Sequence, residues 1–145
     1  MDPVLAAFVT GGIVLLAGVL GVAWTRRDGR ARHVRRAAAV TGEELATGLG
    51  ARVTFLQFST GYCAPCTATH RMLAELSMRT AGAAHIDIDL ADRPDLARRF
   101  GVLQAPTTLL LDADGVPRDR IAGAPRPVEL RERVARILEE RHVVA

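Results

Sequence analysis

The sequence predicts an α/β protein in which a mixed sheet is flanked by helices and is preceded by one apolar helix long enough to cross a membrane. Strand-like and helix-like segments alternate over residues 41–145, and strands joined through helices pair in parallel. A tight turn between the last two strands adds an antiparallel pair, which makes the sheet mixed. At 145 residues, the chain has the length of one domain.

Composition and charge exclude several classes of protein. The chain is 49% hydrophobic and 24% charged, which excludes a disordered or collagen-like protein. Two cysteines are too few for a disulfide-stapled scaffold or an all-cysteine zinc site. Residues 1–36 carry six Arg and two Asp, or +4, whereas residues 37–145 carry thirteen Arg and fourteen acids, or −1. The basic surplus therefore belongs to a short segment, and nucleic-acid binding is not expected.

The first element is an apolar run over residues 4–24 that contains no charged residue. A helix of these 21 residues rises about 31 Å, enough to cross a hydrocarbon core of about 30 Å. Six arginines follow the run and none precedes it: Arg26, Arg27, Arg30, Arg32, Arg35 and Arg36. By the positive-inside rule, the rest of the chain is expected in the cytoplasm. We assign residues 1–25 to a transmembrane helix, 26–40 to a basic juxtamembrane linker and 41–145 to the domain.

A cleaved secretory signal is the alternative interpretation of the apolar run. Gly21, Val22 and Ala23 have the small-x-small form of a cleavage site. The two residues Met1 and Asp2, however, provide no positive charge ahead of the run beyond the terminal amine. If this alternative holds, the domain is extracytoplasmic.

The domain begins with a short helix, because Thr41 and Glu44 have the spacing of a capping box. We expect this helix to end at Gly48 or Gly50. The later elements are strand, helix, strand, short helix, two strands and helix, which we assign to residues 52–59, 66–78, 84–89, 94–100, 107–111, 116–122 and 127–141. Pro117 predicts that the last strand lies at a sheet edge.

The composition of each segment supports these assignments. Residues 52–59 are rich in β-branched and aromatic side chains, and residues 84–89 alternate in polarity, as strands do. Residues 112–115 read Asp-Ala-Asp-Gly, which is typical of a turn between two strands. The last helix has apolar side chains at helical spacing: Leu130, Val134, Ile137 and Leu138.

A pair of cysteines, Cys63 and Cys66, follows the strand at 52–59 and opens the next helix. Unpaired N–H groups and the partial positive charge of a helix start favour a thiolate, so Cys63 is expected to have a pKa of ~7 or lower. Cys66 lies one turn on and is close enough to close a disulfide. Cys63 would attack a substrate disulfide, and Cys66 would resolve the mixed disulfide. Pro65 suits an early helix position because it lacks an N–H.

This segment, Tyr62-Cys63-Ala64-Pro65-Cys66, resembles the W-C-G-P-C motif of the thioredoxin family. A second segment, Phe100-Gly101-Val102 leading to Ala105-Pro106-Thr107, is similar to the family's cis-proline region, and the likeness covers residues 41–141. It implies a thioredoxin-like fold, a cis bond before Pro106, and a redox disulfide with no other cofactor. It also implies that substrate is bound by residues of the two motifs: Tyr62, Ala64, Pro65, Ala105, Pro106 and Thr107. Tyr62 would form an aromatic lid over the thiols.

Besides Tyr62 in place of Trp and Ala64 in place of Gly within the motif, the chain departs from the family pattern at two further positions. Gln57 stands in place of a buried acid that helps deprotonate the resolving thiol, and His85 stands in place of a lysine. Since Gln57 cannot act as a base at neutral pH, His85 and His70 become the candidate groups for proton transfer. The residues between the cysteines include no His, which favours a moderately reducing potential.

Two alternatives compete with this interpretation. Cys63, Cys66 and His70 have a spacing that metal sites use, but a fourth ligand would have to come from the distant His33, His85 or His142, so no metal is expected. The fold could also serve as a binding module for a membrane partner. Both cysteines, the intervening Pro65 and the Ala-Pro-Thr loop favour an enzyme that reduces protein disulfides. Its electrons would come from a thioredoxin reductase, a small thiol or a membrane partner.

Overall fold

The computed structural model describes residues 3–27, 29–34, 38–45 and 47–144, and it confirms the predicted α/β class. The described residues form five helices and five strands. The helices are α1 (Pro3–Arg27), α2 (Gly42–Leu45), α3 (Ala64–Arg79), α4 (Pro94–Arg99) and α5 (Pro127–Val144). The strands are β1 (Ala31–His33), β2 (Val53–Ser59), β3 (Ala83–Asp89), β4 (Thr107–Asp112) and β5 (Pro117–Ala122).

The five strands form one mixed sheet in the order β1-β5-β4-β2-β3. The predicted parallel pair (β2 with β3) and the predicted antiparallel hairpin (β4 with β5) are both confirmed. However, β4 does not pair with β3, although α4 joins them; it lies antiparallel on the other side of β2. Every residue of β4 is buried, whereas β3 is mostly half-buried. The fully buried strand β4 therefore takes an interior position and β3 takes the edge.

Helices cover both faces of the sheet because consecutive side chains of β2 point to opposite sides. Phe55 packs with Leu73 of α3 and Val134 of α5 in one buried cluster. Leu56, on the other face, packs with Leu96 of α4 in a second cluster, which also includes Leu45 of α2. The sheet thus has a core on each side.

The capping box at the start of α2 is confirmed. The Thr41 N–H donates to Glu44 Oε2 at 2.8 Å, and the Glu44 N–H donates to Thr41 Oγ1 at 3.3 Å. The helix ends at Leu45, which is earlier than the glycines at 48 and 50 suggested. Two reciprocal hydrogen bonds are thus compatible with a helix of little more than one turn.

Strand β1 lies in the segment that the sequence analysis assigned to a linker. It pairs antiparallel with β5, and the Ala31 N–H donates to Glu129 Oε1 at 2.9 Å. Strand β5 is therefore not an edge strand, and the expectation drawn from Pro117 was wrong. Pro117 is the first residue of β5 and lies outside the stretch Asp119–Ile121 that β1 covers, so its missing N–H breaks no pair with β1.

Helix α1 precedes the sheet, and its side chains at Val4 and at residues 8–23 are exposed. Within the described residues, no helix is long and apolar enough to cross a membrane, so the structure does not support the predicted transmembrane helix. The side chains of Trp24, Arg26 and Arg27 lie outside the description, as do Arg35 and Arg36.

We expect Leu110→Ala to lower the free energy of unfolding by about 2–5 kcal/mol, because the Leu110 side chain is wholly buried in β4 and its removal leaves a cavity. Urea denaturation measures the loss. Leu103→Ala is the matched control, since Leu103 is 93% exposed and should change stability by less than about 0.5 kcal/mol. Equal effects of the two substitutions would contradict the assignment of Leu110 to the core.

Candidate redox site

Cys63 and Cys66 are joined by a disulfide at the start of α3, where the motif predicted them. The two sulfurs are 2.04 Å apart and the Cα atoms 5.2 Å apart. Cys63 is the N-cap of the helix in an extended conformation, and Pro65 lies in the first turn. The Cys66 N–H donates to Cys63 Sγ at 3.2 Å, so a helix-start N–H is directed at that sulfur.

The two cysteines differ in exposure. Cys66 is 4% exposed, whereas Cys63 is half-buried and its neighbours Ala64 and Pro65 are exposed. Tyr62 is fully exposed, so its ring does not cover the sulfurs, and the expected aromatic lid is not formed. Tyr62 lies in the turn ahead of α3, where its side chain extends into solvent instead of packing on the helix. A molecule approaching this surface therefore meets Cys63 before Cys66.

The expected cis bond is present between Ala105 and Pro106. Pro106 directly precedes β4, whose first residue, Thr107, pairs with Phe58 near the end of β2. The bond therefore lies at the end of the sheet where β2 leads into the cysteine segment. The Pro106 carbonyl accepts a hydrogen bond from Gly123 N–H at 2.8 Å. The Thr107 side chain is buried, and its hydroxyl donates to the Gln104 carbonyl at 2.8 Å.

Gln57, which stands in place of the family's acid, links the buried cysteine to β3. Its side chain is fully buried in β2, and Nε2 donates to the Cys66 carbonyl at 3.1 Å. Its Oε1 lies 3.2 Å from His85 Nε2, so His85 donates to it. One neutral amide therefore makes hydrogen bonds both to the Cys66 carbonyl in the first turn of α3 and to the His85 ring of β3.

The rings of the two candidate proton-transfer residues, His70 and His85, contact each other on the solvent side of Gln57. Their ring centroids are 4.7 Å apart with an interplanar angle of 69°. His70 Nδ1 lies 3.0 Å from Asp87 Oδ2, and Ser59 donates its hydroxyl to Asp87 Oδ1 at 2.7 Å. A polar chain thus runs from the Cys66 carbonyl through Gln57 and the two rings to Asp87.

The pKa of His85 is lowered to about 4, mainly by burial and then by the nearby His70, while Asp87 opposes the change. His85 is therefore neutral at pH 7, and the proton on its Nε2 is held in the hydrogen bond to Gln57.

No hydrogen bond among the described residues joins either ring to a cysteine sulfur, and His85 reaches Cys66 only through Gln57. The proton-transfer roles of His70 and His85 thus remain predictions. Asp87 and Ser59 were not among the predicted site residues. The alternation of β3 contained a signal for Asp87, because residues two apart on a strand share a face, and His85 precedes Asp87 by two.

Within the described part of the chain, no group of three or more His, Cys, Asp or Glu side chains is arranged to hold a metal ion. The sulfurs of Cys63 and Cys66 are bonded to each other, and His70 is paired with Asp87. The side chain of His142, one of the remote candidate ligands, lies outside the described residues.

The pKa of His85 predicts a pH-dependent stability. Because the folded value lies near 4 and the ordinary value is 6.5, the unfolded chain binds the proton more readily, and stability falls as the pH decreases from 6.5 to about 4. We expect His85 to contribute roughly 1–2 kcal/mol of this loss, less than the full shift implies, because the ring is partly exposed. Urea denaturation at several pH values measures it.

The matched variant is His85→Gln, which keeps a donor for Gln57 but does not titrate in this range. An identical loss of stability in both proteins would contradict the assignment. In His70→Ala, the pKa of His85 followed by NMR should rise yet stay below 6.5, since burial is the larger cause of its low value.

The chain is similar in sequence to curated thioredoxins, although no family model matches it. It is 32% identical over 91 residues to a thioredoxin of Mycolicibacterium smegmatis, an alignment that covers 59% of this chain and 80% of that protein. It is 27% identical over 73 residues to an H-type thioredoxin of rice, Oryza sativa subsp. indica, covering 50% of this chain. In that comparison, the chain spans only 59% of the length of its relative.

Solved structures show the same likeness. The thioredoxin NaTrxh of Nicotiana alata superposes with a TM-score of 0.55 at 26% identity, covering 61% of this chain and 75% of that one. Sequence and fold agree, and the cysteine pair lies at the start of the helix that follows the interior strand β2. The chain therefore belongs to the thioredoxin family, and its Cys63–Cys66 pair fits the redox-active site of a thiol-disulfide oxidoreductase.

Proposed function

We propose that this oxidoreductase reduces disulfides in other proteins, with Cys63 as the attacking residue and Cys66 as the resolving one. The observation that carries this proposal is the unequal exposure of the two cysteines. Cys63 is half-buried and accepts a hydrogen bond from the Cys66 N–H, whereas Cys66 is 4% exposed. A helix-start N–H favours a thiolate at the accessible position, where an attacking sulfur has to be.

The reaction proceeds in two exchanges from the reduced dithiol. The Cys63 thiolate attacks one sulfur of the substrate disulfide, a mixed disulfide forms, and the other substrate sulfur leaves as a thiolate that takes up a proton. Cys66 then loses its proton and attacks Cys63 Sγ. The Cys63–Cys66 disulfide forms, the second substrate thiol is released, and two electrons have passed to the substrate.

Substrate is held by the exposed segment Tyr62–Pro65 on one side and by the loop Ala105–Thr107 on the other. Exposed Tyr62 offers an aromatic surface beside Cys63. The hydroxyl of Thr107 is bonded to Gln104 and the carbonyl of Pro106 to Gly123, so the backbone of Ala105 is what the loop contributes to binding. A site that reads backbone accepts many sequences, as expected of an enzyme that acts on protein disulfides.

The proton of Cys66 needs an acceptor, and Gln57 cannot supply one. We propose that a water molecule carries this proton to the ring of His70 or His85, because the hydrogen bond from Gln57 reaches the Cys66 carbonyl and not its sulfur. His70 is half-exposed and paired with Asp87, so it is the ring that solvent reaches more easily. Reduction of the spent disulfide requires a donor, for which a thioredoxin reductase or a small thiol is proposed.

Cys63→Ser should abolish the reduction of insulin disulfides, because it removes the attacking sulfur. Cys66→Ser should also lose turnover but accumulate a mixed disulfide with its substrate, since the resolving sulfur is missing. The insulin precipitation assay measures the first effect, and non-reducing electrophoresis detects the trapped species. If Cys63→Ser fully restores the phenotype of cells that lack the protein, although its insulin reduction is lost, the chain acts as a binding module instead.

We further propose that the enzyme is tethered to a membrane through residues 4–24, with its redox domain in the cytoplasm. Three features support this proposal. The run contains no charged residue, its described side chains are exposed, and arginines follow it while none precedes it. An exposed apolar helix is covered when it inserts into lipid. The arginines favour retention of that side in the cytoplasm.

A membrane-impermeant thiol reagent tests this location in intact cells. After treatment with a permeant reductant, Cys63 should be protected from the reagent until the cells are lysed. Labelling in intact cells would place the domain outside, as a secreted or extracytoplasmic protein. A chain that remains in the soluble fraction after lysis would contradict the tether itself.

A further inference from the structure

The chain enters the domain at the end of the sheet where the redox site lies, that is, where β2 and β5 end. Strand β1 runs antiparallel to β5, so its first residue, Ala31, lies opposite Ile121, near the end of β5. The preceding Gly29 donates its N–H to the Ala122 carbonyl at 2.6 Å. Ala122 pairs with Thr107, and Thr107 pairs with Phe58. One row across the sheet therefore connects the incoming chain to the cis-proline loop and to the end of β2.

The connection from α1 to the sheet is short. Helix α1 ends at Arg27 and one residue, Asp28, separates it from Gly29, so the Cα atoms of Arg27 and Gly29 are at most about 7 Å apart. Gly29 is buried with φ +75, and an added Cβ would collide with the carbonyl oxygen of Ala124. Two residues on, the N–H of Ala31 is bound by Glu129. The end of α1 is therefore within about 7 Å of a residue that is fixed to the sheet.

The sideways distance from the incoming chain to the redox strand is also small. From β1 across β5 and β4 to β2 there are three strand spacings, or about 14 Å. Cys63 follows the end of β2 by four residues, and the Cys66 carbonyl is bonded to Gln57 within β2. The disulfide thus lies at the end of the sheet where the chain arrives from α1, and not at the opposite end.

We infer that the redox site faces the bilayer to which α1 is anchored, and that its substrates are disulfides of membrane proteins within about 20 Å of the surface. This inference rests on the proposed membrane tether and adds the substrate class to it. Arg30 and Arg32 are exposed beside the connection and match the negative charge of anionic headgroups. A soluble disulfide protein gains nothing from such placement, whereas a membrane-bound one is presented at a raised effective concentration.

The test uses the full chain in vesicles of phosphatidylcholine and phosphatidylglycerol, with two transmembrane peptides as substrates. One peptide carries a disulfide loop directly after its helix. The other carries the same loop beyond a Gly-Ser spacer of about 40 residues, whose average reach is about 35 Å. The matched enzyme variant has a Gly-Ser insert of about 20 residues between Arg27 and Asp28, which leaves β1 and the redox site unchanged.

The unmodified chain should reduce the near loop at least about fivefold faster than the distant loop, and the insert should bring this ratio close to one. Both proteins should reduce soluble insulin at the same rate, which shows that the insert has not damaged the domain. Equal rates on the two loops, or a ratio that the insert does not change, would overturn the inference while leaving the tether in place. Failure of the chain to float with the vesicles would overturn the tether and this inference together.

Discussion

The redox site depends on the burial of β2 in the middle of the sheet. All but the last residue of this strand are buried, and it pairs with β3 on one side and with β4 on the other. Its end leads to Cys63, and its pairing with β4 brings Pro106 to the same edge. Its one fully buried amide, Gln57, bonds the Cys66 carbonyl. A one-residue slip of β2 would turn Gln57 to the opposite face of the sheet and separate it from Cys66.

Replacing a buried acid by Gln57 changes the electrostatics of the site rather than its shape. A buried carboxylate is costly unless it is paired, and its charge would vary with pH. The amide provides a donor for Cys66 and an acceptor for His85 with no charge at any pH. The nearest titratable group is then His85, with a pKa of about 4, and its neighbour His70 is paired with Asp87. The first turn of α3 is therefore held in the same way over the physiological pH range.

Local patterns in the sequence predicted most of the fold and the central part of the site. The capping box at Thr41, the apolar strand at β2 and the cysteine pair at a helix start depend on neighbours along the chain, so they can be read without tertiary contacts. Strand β1 could not be predicted in this way, because Ala-Arg-His has no strand pattern and is ordered by β5 and Glu129. The position of β4 and the meeting of His70 with Asp87 likewise depend on residues distant in sequence.

The direction of β1 determines where the chain enters the sheet. Because β1 is antiparallel to β5, the chain arrives at the end of the sheet where β5 ends, which is also the end where Pro106 and the cysteine segment lie. A parallel β1 would have brought the chain in at the other edge, about 20 Å away for a strand of six residues. Three residues of edge strand thus determine which side of the domain faces α1. Asp28 alone separates Arg27 from Gly29, whereas a long and flexible linker would allow every face of the domain to turn toward α1.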